Sequence, residues 1–292
     1  MTKPMFKWSG GKGRLLKRYT ELGFFPDPSQ FDTFVDLFFG AGAVTCWVAD
    51  MYPDKNLIIN DLNSDMMFMM SEMRDNWRNF RDEYLKLSEL FLSTPQDERK
   101  ARYNEYKEIY ALTPDLLTGP QMAACLLVLL KTNFNGIWRQ YIKYNSRYST
   151  PPGHVNYRPS LFDITAVEAF RDVLCRAIVY NRSYEDVPIP EHSWVFADPP
   201  YRDTDKGMYS DQFDDTMQAE LALHLRTSDC LFAESNKDTG DGFWQEHYPN
   251  ENLIFLDHKY TCGQGGAVNS VTEVLIMNYK SNAERATLEH LF

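Results

Sequence analysis

Phe34-Val35-Asp36-Leu37-Phe38 is a short apolar run that leads straight into a glycine turn, Phe38-Phe39-Gly40-Ala41-Gly42. A helical pattern follows over 44–51 and is stopped by Pro53. Leu57-Ile58-Ile59 is then a second apolar run, ending at Asn60-Asp61. Strand, glycine turn, helix and strand in that order open a βαβ unit, which requires parallel pairing with helices laid over the sheet. Further strand-like runs stand at 177–180, 194–197, 231–233, 253–256 and 271–278, with helical patterns at 166–175 and 216–226 among them. The pattern predicts an α/β fold, Rossmann-like, around a mostly parallel seven-stranded sheet.

Between the second and third strands the pattern changes. Residues 66–92 form an amphipathic stretch dense in mixed charge, 98–110 is similar, and 121–131 is apolar enough to be a buried helix. A loop-like segment, 132–162, follows. The expected organisation is one domain from 1–62 and 163–292, with a mainly helical insertion at 63–162. Met66, Met67, Met69, Met70 and Met73 read as adaptable core filling.

Five cysteines (Cys46, Cys125, Cys175, Cys230, Cys262) are scattered singly with no C-x-x-C pair. An odd, dispersed set points to reduced thiols and a cytoplasmic protein, and no His/Cys/Asp cluster has the spacing of metal ligands. Met1-Thr2-Lys3-Pro4-Met5 lacks the apolar segment of a secretory leader, and no apolar run reaches the ~20 residues of a membrane helix. The expectation is therefore no membrane partner. The net charge of −11 argues, as a sum, against nucleic acid. Its distribution argues the other way. Residues 1–20 contain no acid and six bases: Lys3, Lys7, Lys12, Arg14, Lys17 and Arg18. Residues 116–162 again contain no acid, and interleave Lys131, Arg139, Lys143, Arg147 and Arg158 with Phe134, Trp138, Tyr141, Tyr144, Tyr148 and Tyr157. Basic and aromatic residues mixed in this way suit a polyanion with stackable bases.

Three constellations carry chemistry. The glycines of Phe38-Phe39-Gly40-Ala41-Gly42 let the backbone approach a ligand at a helix N-terminus. Asp61, about twenty residues on at the end of the next strand, stands where an acid binds ribose hydroxyls. Together they point to a nucleoside-containing cofactor, although Thr45 replaces the third glycine of the dinucleotide fingerprint. Phe6-Lys7-Trp8-Ser9-Gly10-Gly11-Lys12-Gly13 is glycine-rich but lacks the spacing of a phosphate loop. Last, Val195-Phe196-Ala197 runs into Asp198-Pro199-Pro200-Tyr201. A carboxylate, a rigid carbonyl-bearing turn and a flat ring together suit a planar base with an exocyclic amine.

In order along the chain, K-W-S-G-G-K (7–12), F-x-G-x-G (38–42), N-D-L-N-S-D (60–65), N-F-N-G-I-W-R (133–139), S-Y-E-D (183–186), D-P-P-Y (198–201) and E-S-N (234–236) resemble the motifs of the Dam-like, α-group DNA adenine-N6 methyltransferases of bacteria and their phages. The resemblance implies a methyltransferase that uses S-adenosylmethionine, without a metal, on double-stranded DNA. Its helical insertion is expected to recognise the target. It places Trp8, Lys12, Phe38, Gly40, Gly42, Asp61, Tyr184, Asp186 and Asp198 at the cofactor, with Tyr184 and Asp186 by its adenine. Asp198, Pro199, Pro200 and Tyr201 form the catalytic pocket. Lys7, Phe134, Asn135, Ile137 and Arg139 face DNA, and Arg14, Lys143 and Arg147 join them from the acid-free stretches. The target adenine is expected to be flipped from the duplex. Oligomeric state is left open between a monomer and a weak dimer.

Departures from the family pattern fall on the DNA side. Gly265-Gly266 is followed by Ala267-Val268-Asn269-Ser270 without a base, Pro151-Pro152-Gly153-His154-Val155 lacks an Arg and a Tyr, and Gln140 follows Arg139. They direct the expectation to GATC or a related or relaxed site. The alternatives are an N4-cytosine or RNA methyltransferase with the same pocket, and a non-catalytic DNA-binding module that keeps the fold.

Overall fold

A computed structural model describes residues 1–112, 114–139, 147–153, 159–202, 213–260 and 269–280. Lys143, Tyr141, Tyr144, Tyr157, Arg158, Gln140, His154, Val155, Cys262 and 265–268, named above from the sequence, lie outside the described residues. The strands are β1 (Thr33–Asp36), β2 (Asn56–Asn60), β3 (Ala177–Tyr180), β4 (Ser193–Ala197), β5 (Leu231–Asp238), β6 (Asn252–Tyr260) and β7 (Asn269–Met277). They form one seven-stranded sheet in the order β3-β2-β1-β4-β5-β7-β6. β1 pairs in parallel with β2 and β4, as do β2 with β3 and β4 with β5, whereas β7 is antiparallel to both β5 and β6. This is the Rossmann-like, mostly parallel sheet expected from the sequence.

The strand residues alternate between two cores, as a period of two requires. Phe34, Leu57, Ile59, Trp194, Phe196, Leu275 and Met277 face one side, packed with α2 (Ala43–Met51) and α7 (Ile164–Cys175). Val35, Ile58, Val195, Phe232, Val274 and Ile276 face the other, against Leu221, Ala222 and Leu225 of α8 (Asp215–Thr227) and Trp244 of α9 (Phe243–His247).

The first core continues without a break into the helices of the inserted segment: α3 (Ser64–Asp75), α4 (Trp77–Ser93), α5 (Arg99–Leu112) and α6 (Gly119–Thr132). The five methionines read as core filling are at most 1% exposed. The single amphipathic stretch expected at 66–92 is in fact two helices. Asn76 leaves helical geometry (φ −111°, ψ 35°), and its side chain donates to Glu72 Oε2 at 3.0 Å, ending α3 before α4 begins. Helix α6 starts at a capping box in which the Thr118 amide donates to Gln121 Oε1 at 3.0 Å, and its residues 123–130 are all buried.

The basic N-terminal stretch is folded onto the body. Met5, Phe6, Lys12 and Tyr19 are buried, and α1 (Leu16–Glu21) follows a short 3₁₀ turn at Lys12–Arg14. Lys131 on α6 pins this stretch by donating to the carbonyls of Met5 (2.7 Å) and Leu161 (3.0 Å). Among the described residues no helix is long and apolar enough to cross a membrane.

Candidate active site

The strand order reverses at β1: the chain leaves it towards β2 on one side, and β4 leads to β5 on the other. Ligands of open α/β sheets bind at such a switch point, outside the carboxyl ends of the strands. The glycine turn after β1 and the Asp198-Pro199-Pro200-Tyr201 turn after β4 both stand there.

Gly40 has φ +52°, a conformation L side chains rarely adopt, and a Cβ on it would lie 3.1 Å from the Trp8 indole. The turn is thus closed from above by Trp8 of the N-terminal stretch. Asp61, just past β2, fixes the turn from below: its Oδ2 accepts the Gly40 amide and its Oδ1 the Asn63 amide, each at 2.9 Å. A carboxylate has about four lone-pair positions, so these two bonds leave capacity for ligand hydroxyls. Asn60 ties neighbouring loops together, donating to the carbonyls of Leu37 (3.0 Å) and Arg182 (3.1 Å) and accepting the Arg182 amide (3.1 Å). Beyond β3, Tyr184 is buried with its ring 5.6 Å from that of Phe38, whereas the Asp186 side chain is exposed.

At the end of β4, Asp198 Oδ1 receives both Lys12 Nζ (2.5 Å) and Ser235 Oγ (2.9 Å). Among the described residues its Oδ2 accepts no hydrogen bond. Burial pushes the Asp198 carboxyl up from its ordinary value, and the Lys12 ammonium pulls it back. The following turn is clamped. The Pro200 carbonyl accepts Gln218 Nε2 (2.9 Å), and the Arg202 amide donates to Asn236 Oδ1 (3.1 Å). Arg202 itself is buried, forks onto Asp215 (2.8 Å) and Asp241 (2.9 Å), and stacks 3.9 Å from the Phe243 ring centroid. The Tyr201 ring lies 4.6 Å from Lys12 Nζ, and its hydroxyl donates to Glu273 Oε1.

The pocket is rich in acid. Asp36, at the end of β1, is 2% exposed; its Oδ2 accepts Thr45 Oγ1 at 2.6 Å, and among the described residues its Oδ1 has no hydrogen-bond partner. Burial, with the charges of Asp198 and Asp61, pushes its carboxyl up to about 7. Glu234 on β5 is likewise raised to about 7 by burial. Among the described residues Lys12 forms an ion pair with Asp198, whereas no ion pair reaches Asp36, Asp61 or Glu234.

Residues 8–261 match the family described as D12 class N6 adenine-specific DNA methyltransferase. The chain belongs to that family. It is 26% identical to the type II methyltransferase M.MjaIII of Methanocaldococcus jannaschii, over 95% of this chain and 99% of that one. It is 24% identical to the type II methyltransferase M.CviBI of Paramecium bursaria Chlorella virus NC1A, over 95% and 100%. With the retron Ec67 DNA adenine methylase of Escherichia coli the identity is 24%, over 94% and 90%.

In this methyltransferase the residues expected at DNA gather, in part, where the N-terminal stretch meets the turn after α6. Asn133 builds that turn: its Oδ1 accepts the Gly136 amide (3.1 Å), and its Nδ2 donates to the Ile137 carbonyl (3.2 Å). Asn135 (φ 55°) and Gly136 (φ 68°) are left-handed, and the Gly136 carbonyl accepts the Ser9 amide at 3.1 Å. Lys7, Phe134, Asn135 and Arg139 are exposed around this junction, with Phe134 40% exposed despite its ring, and Ile137 is half-buried. Arg14 is exposed on the 3₁₀ turn. Arg147 is placed differently: it pairs with buried Asp65 and lies 5.6 Å from the Tyr110 ring centroid, so it also serves the helical core.

Sequence reasoning missed Asp36, Gln218, Arg202 and Glu273. A readable signal existed for two of them. Asp36 and Glu273 are charges inside apolar strand patterns, Phe34-Val35-Asp36-Leu37 and Glu273-Val274-Leu275-Ile276.

Proposed function

We propose that this protein transfers a methyl group from S-adenosylmethionine to N6 of an adenine flipped out of duplex DNA, at GATC or a related or relaxed site. The observation that carries this reading is the disposition of Asp198. Both donors, Lys12 and Ser235, are taken on Oδ1, which leaves Oδ2 to accept a hydrogen from an incoming amine. The Pro199 carbonyl accepts no bond among the described residues, whereas that of Pro200 is taken by Gln218. Oδ2 and the Pro199 carbonyl thus offer two acceptors for the two hydrogens of an exocyclic amine.

The adenine amine is a poor nucleophile because its lone pair is delocalised into the ring. Two acceptors pull the nitrogen towards sp³ geometry and localise that pair, a positioning and electrostatic contribution. Tyr201 offers a face on which the base stacks. The acid-rich pocket formed by Asp36, Asp61 and Asp198 suits a sulfonium and ammonium ligand, and Trp8, Lys12, Phe38, Gly40, Gly42, Asp61 and Tyr184 are the residues that would hold it, with Asp186 at its margin. When bound, S-adenosylmethionine supplies an electrophilic methyl group. On the DNA side, Phe134 fills the gap left by the flipped base, and Lys7, Arg14, Asn135, Ile137, Arg139, Lys143 and Arg147 contact the duplex. In this reading residues 63–162 recognise the target, and 1–62 with 163–292 carry catalysis.

Tritium transfer from labelled cofactor to duplex DNA, run beside Asp198→Ala, tests the reading. The variant is expected to lose turnover while DNA binding stays within about twofold; turnover like that of the unaltered protein would refute the role of Asp198.

A further inference from the structure

Glu273 lies on β7, antiparallel to β5, and its side chain is fully buried. Burying a carboxylate is costly unless it is paired, yet the rest of this strand segment, Val274-Leu275-Ile276-Met277, is apolar core. Among the described residues the partners of Glu273 converge on one oxygen. Oε1 accepts the Tyr19 hydroxyl at 3.0 Å and the Tyr201 hydroxyl, and it stands 3.9 Å from Lys12 Nζ. Among the described residues Oε2 has no hydrogen-bond partner. Tyr201 and Lys12 belong to the pocket, whereas Tyr19 is core at the base of the N-terminal stretch. The carboxylate therefore links α1, the Asp198-Pro199-Pro200-Tyr201 turn and the ammonium that faces Asp198.

We propose that Glu273 is a positioning residue for methyl transfer. Its charge holds the Tyr201 ring and the Lys12 ammonium at fixed places relative to Asp198 Oδ1, so that Oδ2 and the ring form one rigid corner for the base. Two features make a purely structural role insufficient. A glutamine would accept the same two hydroxyl bonds without the desolvation cost of a charge, so the charge answers to Lys12. An oxygen left unpaired in a buried strand is tolerated where the site imposes it. The ring is also caught between two holds, its hydroxyl on Glu273 and its face near the ammonium, which fixes its tilt as well as its position. Misplacing reacting groups by about 1 Å costs as much as a hundredfold in rate, so loosening this corner acts on kcat.

This inference rests on the methyl-transfer reading, and the experiment separates the two. Steady-state tritium transfer to duplex DNA is measured for the unaltered protein, Glu273→Gln and Tyr201→Phe, with melting temperatures and DNA affinity recorded for each. Glu273→Gln is expected to lower kcat roughly ten- to hundredfold, with DNA KM within about twofold and no loss of melting temperature. Tyr201→Phe keeps the ring and removes only the hydroxyl, so it is expected to lower kcat comparably. A Glu273→Gln enzyme with unimpaired kcat overturns the inference alone. Should Glu273→Gln fail to fold, Tyr201→Phe decides: unimpaired kcat there overturns it as well. Absence of transfer by the unaltered protein overturns the methyl-transfer reading, and the kinetic role of Glu273 with it.

Discussion

Asp36→Asn isolates the electrostatic cost of the acid-rich pocket. Among the described residues the Asp36 carboxyl has no ion-pair partner; Thr45 Oγ1 donates to it at 2.6 Å, and burial raises it from 3.8 to about 7. The folded protein therefore holds a proton on Asp36 at pH values where the unfolded chain has released it. Stability from this group is full below about 3.8 and is lost as pH rises through about 7. Integrating the linkage relation between about pH 5.5 and about pH 8 gives a loss of about 2 kcal/mol from this one side chain. Asparagine keeps an acceptor for Thr45 and has no proton to lose, so that part of the slope disappears. Urea unfolding of both proteins at the two pH values reads the difference. The stability of Asp36→Asn relative to the unaltered protein is expected to rise by about 2 kcal/mol from the lower pH to the higher. Glu234, also raised to about 7, gives a similar slope in both proteins and cancels. Parallel pH dependences for the two proteins would show that Asp36 does not titrate between the two pH values, and the reading of its buried carboxyl would be wrong.

Two further changes probe the supports of the site. A Cβ at Gly136 would stand 2.5 Å from the Lys7 carbonyl oxygen at a φ of +68°. Gly136→Ala is therefore expected to part the 133–137 turn from the N-terminal stretch and weaken duplex binding roughly tenfold in a fluorescence anisotropy titration; unchanged affinity would count against the junction as a DNA surface. Arg202→Met removes the guanidinium that lies 3.9 Å from the Phe243 ring centroid and, with it, the fork onto Asp215 and Asp241. It is expected to lower the melting temperature by roughly 2 to 4 °C and kcat by roughly tenfold, because the clamp after Tyr201 loosens; an unchanged kcat would refute the clamp.

The fold was legible because its signals are local. The apolar run before Gly40, the stop at Pro53 and the run ending at Asp61 each declare one piece of a βαβ unit, and observed β1, α2 and β2 lie within a few residues of those bounds. The site was legible where residues contiguous in sequence form it, as in Asp198-Pro199-Pro200-Tyr201. What escaped depends on pairings distant along the chain. Glu273 meets Tyr19 across 254 residues, and Asn60 meets Arg182 across 122; no local periodicity encodes such contacts. The break at Asn76 escaped because the apolar pattern runs through it, and only backbone geometry separates the two helices.

The central claim is that a methyl group reaches N6 of adenine through Asp198 and the Pro199 carbonyl. The measurement that tests it most directly is modified-base sequencing of DNA from cells expressing the protein, beside DNA from cells expressing Asp198→Ala. The expected result is N6-methyladenine at one short recurring site with the unaltered protein, and its absence with the variant. Methyl groups on N4 of cytosine, or N6-methyladenine that persists with Asp198→Ala, would contradict the account; strict methylation of GATC would keep the mechanism and refute only the altered or relaxed site.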